Sequence, residues 1–529
     1  MLKTAPSLMK YGVLAIILIA FNLLSMSPAR AQTVGASSTL LPTLGDGGEM
    51  SSSAERRLGD RIAREIYRDP DYLDDPVLVD YVQSIWQPLL AAARARGDLS
   101  PELQDRFAWE IMLGRDRTVN AFALPGGYFG VHLGLLAVVG SADELASVLG
   151  HELSHVTQRH ISRLIARQGQ QAPWLVGAMI LGALAASKNT DAANALIVGG
   201  QAASAQGQLN FSRDMEREAD RVGYGVMTDA GFDARGFVAM FDKLQQTSRL
   251  NDNGAYPYLR SHPLTTERIA DMLSRQSMTQ PSMPVPTPSL EHAMMAGRAR
   301  ALSNPGVDAL RGFLREADSW PVSAPLSTVA RHAGVLYAGV LAAGRLRDDV
   351  AARTHLARLT ALVSSDPAGT RLVRWLRAEL SLATGDWRSA QTQLDTRSVE
   401  DRDEAQMRRP ELLLRGQLAV QVGQATVWFA LTERLQLWVT DHPRDAQAWQ
   451  LLASAYLAQR QSLRALRAEA ESRVAQLDLA SALDRLKAAQ DLLRQGVSLG
   501  PNADHIEASI IDTRRRQLES ALREQALER

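Results

Sequence analysis

The chain has 529 residues, long enough for roughly two or three domains, each with its own core. Its 58 Lys and Arg balance 58 Asp and Glu, so composition supplies no overall field to recruit nucleic acid, and no nucleic-acid partner is expected. The absence of cysteine excludes disulfides, thiol catalysis and a lipid-modified cysteine.

The N-terminus places Lys3 and Lys10 before an apolar run from Tyr11 to Met26, followed by Ser27-Pro28-Ala29-Arg30-Ala31. A basic start, an apolar centre and an Ala-x-Ala end are the parts of a secretory signal. Residues 1–31 therefore read as a signal peptide cleaved after Ala31, which predicts an exported protein. An uncleaved anchor is the alternative, although the run is short for a spanning helix. Residues 32–53, rich in Gly, Ser and Thr, read as a flexible leader.

Helical patterning starts at Ala54 and runs through Tyr67. Asp75-Pro76 opens a second helix with Val79, Val82 and Trp86 on its apolar side, proline fitting the first turn. Three β-type runs follow, Phe107 to Leu113, Thr118 to Leu124 and Tyr128 to Leu133, divided by Arg115-Asp116 and Pro125-Gly126-Gly127. They predict a small sheet against the next helix. Asn120, Ala121, Phe122 and Ala123 are candidates for an edge that pairs with an extended peptide through main-chain hydrogen bonds. A plain core hairpin is the other reading of this segment.

The next helix organises the rest. Ser141-Ala142-Asp143-Glu144 is a capping box, and Leu145, Val148 and Leu149 continue an apolar stripe. His151-Glu152-Leu153-Ser154-His155 then carries the His-Glu-x-x-His pattern. Residues four apart lie about 40° from each other round a helix, so His151 and His155 share a face and can grip one metal ion. Glu152, about 100° round from His151, can reach a water at that metal but is badly placed as a ligand, which makes it the candidate base. His160 follows on the same helix, five residues after His155, and reads as a surface or core histidine.

A third ligand is needed. Ser212-Arg213-Asp214-Met215-Glu216-Arg217-Glu218-Ala219-Asp220 offers Glu216 and Asp220 four apart, one to ligate and one to accept the outer N–H of a ligating histidine. Glu218 points about 200° away from Glu216, so Glu216 is the preferred ligand and Asp220 its supporting partner. A solvated charged helix is the bland alternative. Between the two helices, residues 174–186 and 192–203 are apolar and too short to span a membrane. They read as a buried helical pair, a cover for the site or a membrane-surface contact.

A helical stretch near Phe237 to Leu244 leads to Ser261-His262-Pro263, where the proline sets His262 in an extended or turn conformation. Spacing alone leaves His262 a lone structural histidine. Residues 280–289 hold four prolines, Pro281, Pro284, Pro286 and Pro288, and mark a stiff linker between residues 54–279 and 290–529. The second part is Ala/Leu/Arg-rich and helical throughout. Helices begin near Pro410 and Pro443, and Trp449, Leu452, Ala453, Tyr456 and Ala465 keep tetratricopeptide spacing. Gly385-Asp386-Trp387 with Ala390, and Gly423 before Ala425, look like turns of further units. Stacked helix pairs usually receive a peptide or a partner domain; a generic helical bundle is the alternative.

The combination resembles the BepA-like periplasmic metallopeptidases of the larger HtpX-type peptidase family. The residues that carry it are Asn120 to Gly127, His151 to His160, Glu216-Arg217-Glu218-Ala219-Asp220, and Ser261-His262-Pro263 with Arg268. The resemblance implies an α+β zincin-like metallopeptidase domain, mostly helical with a small sheet, followed by an all-α tetratricopeptide-like solenoid. It implies one Zn2+ per chain on His151, His155 and Glu216, with Glu152 as base and His262 as a fourth ligand that holds the enzyme idle. It also implies periplasmic work on unfolded or misassembled outer-membrane proteins, with the repeats meeting the assembly machinery. An assembly scaffold or chaperone with minor proteolysis is the rival expectation.

Overall fold

The structure is a computed structural model that describes residues 50–167, 212–249, 256–279, 289–321, 328–396, 407–495 and 501–527. The expected signal peptide, the leader up to residue 49, residues 174–203 and most of the proline-rich stretch lie outside the described residues.

Side-chain caps start the helices of the first half. The Ser51 hydroxyl accepts from the Ala54 amide and opens α1 (Ser52–Arg68), so Ser52 and Ser53, expected in the leader, already belong to a helix. Asp75 caps α2 (Pro76–Arg96) with proline in its first turn, and Gly97 ends that helix in the left-handed conformation. Before α2 lies β1 (Tyr72–Leu73); after it come α3 (Pro101–Arg106), β2 (Glu110–Gly114), β3 (Ala121–Leu124) and β4 (Tyr128–His132).

These strands form one sheet in the order β1-β2-β4-β3. β2 and β4 run parallel from Glu110 opposite Tyr128, while β3 pairs antiparallel to β4, with Phe122 opposite Gly130. The hairpin closes through Pro125-Gly126-Gly127, where both glycines take positive φ of 73° and 78°. β3 is thus at once the first strand of a hairpin and an edge of the sheet. Alternation sorts the side chains: Ile111, Leu113, Phe129, Val131 and Ala121 join the main core, and Met112, Leu124 and Tyr128 pack with Leu58 and Ile62 of α1. Trp86 of α2 meets Phe129 edge-on at 4.6 Å between ring centres.

After β4 come α4 (Leu133–Val138), α5 (Ala142–Thr157), α6 (His160–Arg167), α7 (Arg213–Asp229), α8 (Arg235–Arg249), the short α9 (Tyr258–Ser261) and α10 (Thr266–Thr279). The Ser141 hydroxyl caps α5 by accepting from the Glu144 amide, while Glu144 accepts from Gly140 and pairs with Lys243. α5 stops at Thr157 because Arg159 adopts a left-handed φ of 54°, and α6 starts at His160. His160 is therefore not on the helix of His151 and His155, contrary to the sequence reading.

The rest is helical: α11 (Leu290–Ser303), α12 (Val307–Asp318), α13 (Val329–Leu346), α14 (Asp349–Leu362), α15 (Pro367–Ala383), α16 (Trp387–Asp395), α17 (Arg409–Val422), α18 (Ala425–Asp441), α19 (Ala446–Ala458), α20 (Ser462–Ala475), α21 (Leu479–Arg494) and α22 (Pro501–Leu527). Gly385 and Gly423 make turns with φ of 79° and 67°. These helices lean on the first half. Met294, Met295 and Ala299 share a core with Leu136 and Val139, and buried Arg298 pairs with Asp75 at 2.6 Å. Arg409 bridges Asp74 and Asp445, Arg444 donates to the Ala108 carbonyl, and Arg64 donates to the Leu477 carbonyl. Helices α17 to α20 thus receive this chain's own first half. No helix among the described residues is long and apolar enough to cross a membrane.

Candidate active site

Two glycines set the spacing of the site. α5 and α7 approach so closely that a Cβ on Gly223 would stand 2.9 Å from the Gly150 carbonyl and the His151 nitrogen, and one on Gly150 would stand 3.2 Å from the Gly223 oxygen. This contact lets His151 and His155 of α5 face Glu216 and Asp220 of α7.

His262 completes the group. It caps the C-terminal end of α9, four residues before α10, with φ −122° and ψ 78°, and its ring stacks on Tyr258 at 4.6 Å between centres. His151, His155, Glu216 and His262 are all buried, and each offers one ligand atom within 4.8 Å of the others. His155 Nε2 lies 3.0 Å from His151 Nε2, and His262 Nδ1 lies 3.3 Å from His151 Nε2 and 3.0 Å from Glu216 Oε1. Several imidazole nitrogens with one carboxylate oxygen, sealed from water, suit a zinc ion.

Glu152 stands beside this group with its Oε1 3.4 Å from His262 Nε2. Neither of its buried oxygens has a protein donor in good hydrogen-bond geometry. Burial raises its pKa, opposed by His262, His151 and a pull from the Ala123 backbone. A carboxylate left unbonded in such a place is costly unless a ligand, water or cation meets it.

Asp220 Oδ1 lies 2.9 Å from the outer nitrogen of His151, Nδ1. Arg268 clasps the same carboxylate at 2.6 and 2.7 Å, approaches Glu216 Oε2 at 2.8 Å and donates to the Pro263 carbonyl. Burial alone would raise the Glu216 and Asp220 carboxyls. The histidines His262 and His151 hold Glu216 well below its usual range, and Arg268 with His151 lowers Asp220. For His151, burial works against the proton, yet hydrogen bonds to Asp220 and Glu216 raise its pKa to about 9 without a metal. Burial and the His151 charge push His155 well below 6.5.

His160 is fully buried and its Nδ1 lies 2.9 Å from Nδ1 of His155; its Nε2 lies 3.0 Å from Glu218 Oε2. It is not in the four-donor group but touches it from behind. The sequence reading assigned no role to Arg268, Tyr258, Glu218 or His160. Arg268, Glu218 and His160 all lie in the motifs that carry the family resemblance, and Tyr258 lies in none of them. Of the strand candidates, Ala121, Phe122 and Ala123 lie in β3, which packs on α5. Asn120 precedes the strand, and its carbonyl accepts from the His132 amide. Phe122 covers Gly130, where a Cβ would meet its ring at 2.1 Å.

Residues 80–276 match the model of peptidase family M48. The chain is 32% identical over 285 residues to the beta-barrel assembly-enhancing protease of Yersinia pestis, covering 53% of this chain and 56% of that protein. It is 28% identical over 314 residues to the protein of the same name from Escherichia coli strain K12, covering 59% and 61%. It is also 29% identical over 207 residues to the mitochondrial metalloendopeptidase OMA1 of Arabidopsis thaliana, covering 39% and 36%. The matched stretch thus spans little more than half the length of the first two relatives and about a third of the last. These matches bear out the resemblance to BepA-like peptidases and identify residues 80–276 as a stretch of M48 type. Peptidases of this family use zinc, and the four-donor group lies in that stretch.

Proposed function

We propose that this chain is a zinc-dependent endopeptidase that cleaves unfolded or misassembled proteins, outer-membrane proteins above all, after export to the periplasm. The observation that carries it is the buried Glu152 carboxylate, with no protein donor in good hydrogen-bond geometry, beside a closed group of His151, His155, Glu216 and His262. The names of the Yersinia and Escherichia relatives support the outer-membrane assignment.

In this reading His151, His155 and Glu216 hold the metal, and Asp220 fixes the orientation of His151. When bound, zinc supplies Lewis acidity for the scissile carbonyl and acidity for a water. Glu152 takes a proton from the attacking water and returns it to the amine nitrogen as the C–N bond breaks. Burial holds its pKa above the usual carboxylate range, the direction that favours taking up the proton of the attacking water. β3, an edge strand whose Ala123 faces Glu152, holds the substrate extended by main-chain pairing, so many sequences are accepted. His262 occupies the fourth donor position, and its imidazole leaves before a substrate can enter. Helices α11 to α22 act as tetratricopeptide-like repeats that meet assembly partners on faces not taken up by the first half.

Glu152→Gln is expected to retain zinc but lose cleavage of an unfolded protein such as reduced casein by several orders of magnitude. Cleavage at the wild-type rate would overturn the assignment. The closed four-donor group also favours a second reading, a scaffold whose metal is structural. Full rescue of a deletion strain by Glu152→Gln would favour that second reading.

A further inference from the structure

We propose that His160 and Glu218 are positioning residues for His155, forming a hydrogen-bonded relay that fixes which nitrogen of His155 faces the metal. The inference rests on the zinc-peptidase reading above.

The two imidazoles that α5 presents to the donor group need the same service by different means. An imidazole ligates through a nitrogen lone pair and must carry its proton on the other nitrogen. For His151 that outer nitrogen meets Asp220 directly. For His155 it meets another imidazole, with Nδ1 of His155 and Nδ1 of His160 2.9 Å apart. Two neutral imidazoles can share that contact only if one donates and the other accepts.

Glu218 decides which. Its carboxylate only accepts, and it lies 3.0 Å from His160 Nε2, so the His160 proton sits on Nε2. His160 Nδ1 is then the acceptor and His155 Nδ1 the donor. That leaves the lone pair of His155 on Nε2, the atom 3.0 Å from His151 Nε2 and 3.5 Å from Glu216 Oε1. One proton pattern satisfies every link from Glu218 to the donor group. Arg163 holds the far end by pairing with Glu218 at 2.9 Å.

Two backbone features build the relay. On one continuous helix His160 would sit about 140° round from His155 and could not reach its ring. The left-handed Arg159 breaks the helix and returns His160 beneath His155, with ring centres 4.9 Å apart. Glu218, on the side of α7 turned away from Glu216, points at α6 instead of at the donor group. The same helix thus supports both ligating histidines, Asp220 directly and Glu218 through His160. No side chain of the relay joins the ligand group itself.

The test uses the full mature chain, stripped of metal, with zinc affinity read by chelator competition and ligand geometry by the visible spectrum of the Co2+ form. His160→Phe keeps a buried ring and removes both nitrogens. It is expected to weaken zinc binding about 10- to 100-fold and to shift the Co2+ bands. His160→Gln, which can accept from His155 and donate to Glu218, is expected to recover part of both. Glu218→Ala, a change at a half-exposed position, is expected to weaken zinc in the same direction if His160→Phe fails to fold. Wild-type zinc affinity and Co2+ spectra in His160→Phe, or in Glu218→Ala where His160→Phe is unfolded, would overturn the relay. A wild-type chain that takes up no zinc would instead overturn the peptidase reading itself.

Discussion

Asp220 meets His151 Nδ1 at 2.9 Å while Arg268 holds the same carboxylate through two contacts of 2.6 and 2.7 Å. The guanidinium supplies the charge that keeps a buried carboxylate ionised, and the carboxylate in turn fixes the ring. Asp220→Asn preserves the volume but weakens the bond to the ring. It is expected to lower zinc affinity about 10- to 100-fold, measured by chelator competition. Arg268→Met should do more harm, because it leaves Asp220 and Glu216 buried near each other without their cation. A loss of about 3–5 kcal/mol in denaturant unfolding is expected for that change. Zinc binding unaffected by Asp220→Asn would show that the contact does no orienting.

The crossing of α5 and α7 at Gly150 and Gly223 links packing to the site. A methyl group on Gly223 would lie 2.9 Å from the backbone of Gly150 and His151, where neither helix has a side chain that could move aside. Gly223→Ala is expected to push the helices apart, costing about 1–3 kcal/mol of stability and weakening zinc binding in the same variant. Thermal unfolding of the metal-free chain and zinc titration separate the two effects. A variant with wild-type values in both would show that the helices can part without disturbing the donors.

Which features are legible in the sequence follows from how local their causes are. His151 and His155, and again Glu216 and Asp220, declare themselves because a helix converts a spacing of four into a shared face. Helical phase alone also sets Glu218 apart from Glu216. His262 is different: it arrives beside His151 from 111 residues away, placed by a short helix and a stack on Tyr258 that no local pattern encodes. The role of His160 depends on a left-handed Arg159, a conformation whose usual markers are glycine or asparagine. β1 is two residues long and too short to show alternation. In the helical half the helices are readable from periodicity, but their docking is not. Arg298 and Arg409 look in sequence like the many surface arginines around them, and only their ion-pair partners, buried Asp75 and half-buried Asp74, distinguish them.

That docking has its own expected outcome. Arg298 is 2% exposed, pairs with Asp75 and Glu379, and joins α11 to the cap of α2. Burial raises the Asp75 carboxyl, but Arg298 overcomes this and the net shift is downward. A carboxyl with a lowered folded pKa adds stability above its unfolded value, and that stability is lost as pH falls through the acid range. Arg298→Leu strands the buried Asp75 charge and is expected to cost about 3–5 kcal/mol in urea unfolding near neutral pH. Arg298→Leu with Asp75→Asn should recover much of the loss, because the stranded charge is gone. If the double variant were as unstable as the single one, packing and not the charge would be the cause.

His292 gives a second pH-dependent contact between the halves, with a higher onset. Its Nε2 lies 2.9 Å from the Val139 carbonyl and so donates; its Nδ1, 2.6 Å from the Tyr81 hydroxyl, then accepts. Both bonds use the neutral ring, and a second proton on Nδ1 would turn a donor towards the Tyr81 proton. Burial pushes the pKa of His292 below 6.5, with Lys243 acting in the same direction and the Val139 carbonyl, Glu144 and Asp143 opposing. The unfolded chain takes this proton at about 6.5 and the folded chain only at lower pH. Between those two values the unfolded state binds more protons, so stability drops as the solution is acidified. The drop therefore begins below about 6.5 and stops growing once the folded pKa is passed. His292→Phe keeps a buried ring without the titrating nitrogens. Its melting temperature is expected to fall less than that of the wild type between about pH 7 and pH 5, whatever constant offset the lost hydrogen bonds produce. Parallel curves for the two proteins would mean that His292 is protonated equally easily in both states, and that its bridge from α11 to Tyr81 and Val139 carries no pH dependence.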